Sequence, residues 1–137
     1  VVVYRKNDQP EQRFSLSGPA YNEFSSFFLT RALSFAGRGE PLVPTFADGR
    51  RHPVRVALLA REEKKTRFGR LATLKVMPRM EFKGLYDKDG DTVFWLSDDR
   101  CRVPLEISSR ISIGSLVAKL VEYENPACPE WTDRARR

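Results

Sequence analysis

Between Leu42 and Tyr123 the chain alternates apolar and polar residues with a period of two, a pattern that little besides β-sheet can use. Leu42-Val43-Pro44-Thr45-Phe46 reads as a short edge strand, because Pro44 has no N–H to give a ladder. Asp48-Gly49 is a hairpin signal. Val54, Val56 and Leu58 then alternate with Arg55 and Ala57, and Arg61–Thr66 reads as a charged connection. Leu71, Thr73, Lys75 and Met77 interleave with Ala72, Leu74 and Val76 in a strand closed by Pro78. Met80–Tyr86 and Thr92–Leu96 flank a Gly-containing turn. Cys101, Val103, Leu105 and Ile107 alternate with Arg102, Pro104, Glu106 and Ser108. After Ile113-Gly114, Leu116–Tyr123 reads as a final strand. Over Leu116–Val121 both of its faces carry hydrophobes, the mark of a strand buried on both sides.

Ahead of this region, Val1–Tyr4 reads as a strand remnant, and Phe14 and Leu16 alternate until Gly18-Pro19. One helix follows. Tyr21, Phe24, Phe28 and Phe35, with Ala32 filling the missing turn, form one stripe at helical spacing. Asn22 is the expected N-cap, and Gly37 and Gly39 end the pattern. The stripe has two uses open to it: packing in the core, or lining a ligand surface with Tyr21, Phe24, Phe28 and Trp95. Seven or eight short strands and one helix give a mostly β fold, a curled antiparallel sheet or barrel-like β-spiral with one packed α-helix. The 137 residues suit a single domain.

The net charge of +6 comes from 24 Lys and Arg against 18 Asp and Glu. It gathers in Arg50-Arg51-His52, in Arg61–Lys65 and in the tail Arg134–Arg137. Such clusters attract nucleic acid, anionic lipid or glycan, or simply solvate loops and strand ends. Without a recognition-helix, zinc-finger or RNP-type pattern, nucleic acid is not the expected partner. No run approaches the length of a membrane span. The chain opens at Val1 without a leader-like pattern, which reads as a leader removed or a fragment.

Candidate chemistry is sparse. The single histidine, His52, lies in an expected turn with no nucleophile motif beside it. Asp87, Asp89 and Asp91 resemble the opening of a calcium loop, but its sixth position is Thr92 rather than Gly and strands flank it, so a solvated turn is expected. Asp98 and Asp99 are the best acidic pair. As acid and base they would suit a hydrolase or carbohydrate-acting enzyme, with one pKa raised in a cleft. Neighbouring strand residues point to opposite faces, however, which favours an Asx-type turn that bonds backbone amides and meets Arg100 or Arg102. No catalytic residue, cofactor or metal is expected. If the strand from Arg100 pairs back on itself about Ile113, Cys101 faces Asn125, and Cys128 lies just beyond. A bridge there would clip the tail to the sheet in an oxidising compartment; the alternative is one buried and one loose thiol.

The stretch Trp95-Leu96-Ser97-Asp98-Asp99-Arg100-Cys101-Arg102-Val103-Pro104 resembles the W-L-S-D-D-x-x-R-x-P signature of an exported bacterial family, the domain of unknown function three-one-zero-eight. Ile113-Gly114-Ser115 with Leu120-Val121-Glu122-Tyr123, the strand Gly69–Val76 and the helix Asn22–Arg31 resemble three further parts of it in the same order. The resemblance spans nearly the whole chain and corresponds to the C-terminal part of a full member, since members carry an export signal and more N-terminal strands. Cys101 departs from the family pattern. The resemblance gives Ser97, Asp98, Asp99, Arg102, Pro104 and Gly114 as motif residues, and implies a periplasmic or cell-envelope location, a curled β architecture and no established activity. The expected role is a non-enzymatic binding or scaffolding module holding an apolar or peptide ligand or an envelope component. Sheet edges left by missing N-terminal strands would be open to self-association.

Overall fold

The computed structural model describes residues 1–5, 7–37, 39–47, 49–79, 92–111 and 113–131. The calcium-like Asp87, Asp89 and Asp91, the Met80–Tyr86 strand, Asp48 and the basic tail Arg134–Arg137 lie outside these residues. A small hairpin pairs β1 (Val2–Tyr4) with β2 (Gln12–Phe14). The main sheet is a meander of β3 (Leu42–Ala47), β4 (Arg50–Thr66), β5 (Gly69–Arg79), β6 (Thr92–Ser97), β7 (Pro104–Ile111) and β8 (Gly114–Lys119). Its strands lie side by side in chain order, every pair is antiparallel, and it does not close into a barrel.

Several elements differ from the expectation. Arg61–Thr66 is no connection: β4 runs straight through it, paired residue for residue with β5 as far as Thr66↔Gly69. Its charges mislead because most of them sit on exposed positions of a genuine ladder. The turn is made by Arg67 and Phe68, with Gly69 at a φ of +99° that favours glycine. Pro78 does not end β5, which continues to Arg79. His52 is not in a turn but on β4, opposite Thr45, with Nε2 3.2 Å from the Ala47 carbonyl oxygen.

The helix α1 spans Glu23–Leu29, and a 3-10 turn over Thr30–Ala32 ends it before Phe35. Asn22 caps it, its Oδ1 accepting from the Ser25 amide at 2.8 Å. The buried face, however, is not the aromatic stripe. Phe24 is 61% and Phe28 55% exposed, whereas Ser26 and Thr30 are buried. Phe27 meets Phe94 of β6 edge-on, with ring centroids 4.5 Å apart. Thr45 of β3 donates to Ser26 Oγ at 2.8 Å, so two small hydroxyl residues let helix and sheet approach closely.

This face of the sheet holds the larger core: Val43, Val54, Val56, Leu74, Val76, Phe94 and Leu96, with Phe27, Leu33 and Phe35 packed on it. Leu71 lies three residues before Leu74 and points the other way. It belongs to a second core of Cys101, Val103, Leu105, Cys128 and Trp131, joined by Phe68, Leu120 and Tyr123. One sheet therefore carries a core on each face, under the helix on one side and under the C-terminal segment on the other.

The two edges of the sheet differ. Beside β3, Tyr21 forms a parallel bridge to Thr45: its amide donates to the Pro44 carbonyl at 2.9 Å and its carbonyl accepts from the Phe46 amide at 2.7 Å. At the other edge β8 is exposed along its whole length. The doubly buried strand expected over Leu116–Val121 is thus a free edge that ends at Lys119. Among the described residues no further strand pairs with it, so its apolar side chains stay exposed on both sides.

Candidate functional site

The densest polar arrangement is the loop between β6 and β7, where the Ser97–Pro104 signature lies. Asp99 is its hub. One carboxylate oxygen, Oδ1, accepts from Ser97 Oγ at 2.8 Å and from the amides of Cys101 and Arg102 at 2.9 and 3.1 Å. The other, Oδ2, accepts from Trp131 Nε1 at 2.9 Å. Partial burial pushes the Asp99 carboxyl up, but the bonds from Ser97, Trp131, Cys101 and Arg102 outweigh it and hold the group below its ordinary range. Ser97 Oγ also accepts from the Val103 amide at 2.8 Å, which ties the two ends of the loop together.

These bonds account for an unusual backbone. Arg102 has a φ of +46°, a conformation that a non-glycine residue adopts only when its surroundings hold it. Asp99 holds its amide. Arg31, from the 3-10 turn, holds the far side, donating from Nε to the Arg102 carbonyl at 2.8 Å and from Nη2 to the Cys101 carbonyl at 2.9 Å. Asp98 points elsewhere and pairs with Arg61 at 2.5 Å and Arg102 at 3.1 Å. The two carboxylates diverge, and Asp99 carries a lowered pKa where an acid catalyst wants a raised one. A hollow of about 270 Å³ beside the loop is lined by Leu71, Ala72, Asp98 and Asp99, among others.

Cys101 and Cys128 are joined by a disulfide, with Cα atoms 6.1 Å apart. The β7–β8 register pairs Glu106 with Lys119, one step from the centre expected at Ile113, so its extension sets Cys101 against Glu124 rather than Asn125. A turn bridges the rest: Asn125 Oδ1 accepts from the Ala127 amide and the Asn125 carbonyl from the Cys128 amide. The sulfurs and a Glu130 oxygen lie within 4.8 Å of one another, but a disulfide leaves no thiolate for a metal. Glu130 instead pairs with Arg100 at 3.1 Å.

The four residues offered as a ligand surface are not brought together. Tyr21 is half-buried against the larger core. Trp95 stands on the opposite face, with Lys64 Nζ 3.9 Å and Lys75 Nζ 5.3 Å from its ring and its Nε1 donating to Glu62 at 2.7 Å. Phe28 is exposed and touches Phe27. Phe24 lines a groove of about 620 Å³ between the β1–β2 hairpin and the start of α1. Val2, Val3, Tyr4, Phe46 and Ala47 line it together with Asn22 and Glu23. Of the other motif residues, Pro104 opens β7 opposite Leu96, and Gly114 opens β8 at a φ of +139°.

Sequence reasoning missed Arg31, Arg61 and Trp131. Arg31 and Arg61 carry no local signal, because their partners are distant in the chain. Trp131 had one: a lone tryptophan three residues after a cysteine, in a tail otherwise poor in large apolar groups.

A six-stranded antiparallel meander, capped by one short helix and sealed behind by a disulfide-tethered segment, defines a small β-protein organised around a strand-to-strand loop. The chain belongs to the family described as Protein of unknown function (DUF3108), whose model matches residues 1–121. No curated protein matches the chain. No solved structure matches it.

Proposed function

We propose that this chain is a non-enzymatic binding or scaffolding module of the cell envelope, and that it holds an extended apolar or peptide ligand in the groove between β1 and α1. The observation that carries the reading is Phe24, a large aromatic left 61% exposed on the wall of a groove that Val2, Val3, Phe46 and Ala47 also line. Contiguous exposed apolar surface at a concavity is how ligand sites present themselves, and a few polar groups at the rim set orientation. The Cys101–Cys128 disulfide supports an oxidising compartment. The saturation of Asp99 by four donors supports a structural use of the acidic pair.

The test is native mass spectrometry of the purified protein, followed by titration with a fluorescent long-chain fatty acid and with an extended apolar peptide. One of the two probes should bind, and Phe24→Ala should weaken that binding about tenfold with the fold intact, roughly the loss of one buried aromatic contact. Binding of neither probe, or binding that Phe24→Ala leaves unchanged, would sink the groove as the site. Cell fractionation of the full-length gene product tests the compartment.

A further inference from the structure

We propose that β8 is a self-recognition edge, pairing antiparallel with β8 of a second copy about a two-fold axis at Val117. The phase of the ladder makes this edge available. Leu120 donates its amide to the Leu105 carbonyl at 2.9 Å, so the even-numbered residues of β8 bond to β7. By alternation, Ser115, Val117 and Lys119 turn their N–H and C=O groups outward. An edge is ordinarily blunted by proline, a bulge, repeated charges or a covering segment. The β3 edge has Pro44 and Tyr21. Gly114–Lys119 has no proline, its pairing with β7 has no register shift, and it carries one charge, Lys119.

The register selects itself by side-chain chemistry. With Val117 opposite Val117 of the copy, Leu116 meets Ala118, and Ile113 and Val121, exposed just outside the two ends of the strand, come to the same ends of the pair. Lys119 falls opposite Ser115. Each large exposed hydrophobe of this segment thus gains an apolar partner, and like charges stay apart. An axis at Ala118 would set Val117 against Lys119, and one at Lys119 would set two cations face to face. Because Val117 turns its backbone groups outward, the chosen axis makes it a hydrogen-bonded pair with its own copy. About six main-chain hydrogen bonds then join the two strands over Gly114–Lys119. The pairing is isologous, the arrangement a two-fold requires. Leu116 is 63% and Val117 47% exposed, so both have surface to bury.

Sedimentation velocity of the oxidised chain from about 1 to about 100 μM tests this. The chain should pass from monomer to dimer. Val117→Lys places like charges at the axis, and Val117→Pro removes an outward N–H that β7 does not use. Each should raise the dissociation constant at least about tenfold. Leu59→Lys, at an exposed apolar position on β4, should leave it unchanged. Circular dichroism melts, with β8 already exposed, should show both Val117 variants folded. A chain that stays monomeric throughout, a dimer indifferent to both Val117 variants, or a dimer equally weakened by Leu59→Lys overturns the proposal. A monomer that instead takes up an extended foreign peptide along β8 overturns it too and reassigns the edge.

Discussion

Asp99 shows how one carboxylate can set a loop. Its oxygens hold two backbone amides, a buried hydroxyl and the indole of Trp131, so that one side chain links an arginine at positive φ to a tail segment from the far end of the chain. Replacing it with asparagine removes an acceptor and turns N–H against N–H. We expect Asp99→Asn to lower stability by about 1–3 kcal/mol at pH 7, read from urea unfolding. The pH dependence has a definite sign. The folded carboxyl titrates below its ordinary value of 3.8, so its contribution is complete at neutral pH and is lost as the pH falls from the ordinary range through the folded value. The gap between wild type and Asp99→Asn should therefore begin to narrow below about pH 4, where the unfolded carboxyl takes up its proton, and narrow further as the pH falls through the folded value. The turn-forming role of Ser97-Asp98-Asp99 was legible in the sequence, because adjacent strand residues cannot converge on one substrate. The Trp131 and Arg31 contacts were not, because nothing local marks partners 32 and 70 residues away.

Elements were legible where one period sufficed and misread where packing chose among faces. Asn22 as a cap and the consecutive hairpins followed from residue chemistry alone. The helix did not: counting aromatics at helical spacing picks Phe24 and Phe28, whereas the sheet takes Ser26, Phe27 and Thr30, because Ser26 can bond Thr45 while Phe27 reaches Phe94. The distinction is measurable. Phe27→Ala should destabilise by about 2–4 kcal/mol, and Phe28→Ala by less than about 1 kcal/mol, in thermal or urea unfolding. Equal effects would return the buried face to the stripe. β8 was misread for the converse reason: an edge and a fully buried strand can share one composition when what differs is only the presence of a neighbour.

At the scale of the molecule, the sheet carries two cores with separate covers. The helix lies over one, and residues 120–131 lie over the other, tied down by a bridge that closes a loop of 27 residues. Reduction should lower stability by about 3–4 kcal/mol. Amide exchange should then show protection lost first around Val103, Tyr123 and Trp131, while β4, β5 and the strands beneath α1 stay protected. Uniform loss across both cores would mean that the covers are not separate. That the chain is mostly β and hairpin-linked was readable from its alternation. The double-sided core was not, because it depends on where the C-terminal segment lands.

The asymmetry between the two borders of the main sheet has its own consequence. A sheet that stays sticky on both sides can add copies without end, and the product is a fibre. Here Tyr21 and the ring of Pro44 have shut the β3 side. Two molecules joined through β8 have spent that border on each other, and the stretch of β4 that β3 leaves uncovered carries Arg61, Glu62, Glu63, Lys64 and Lys65, whose repeated charge opposes further addition, so the contact that starts the assembly also ends it at a pair.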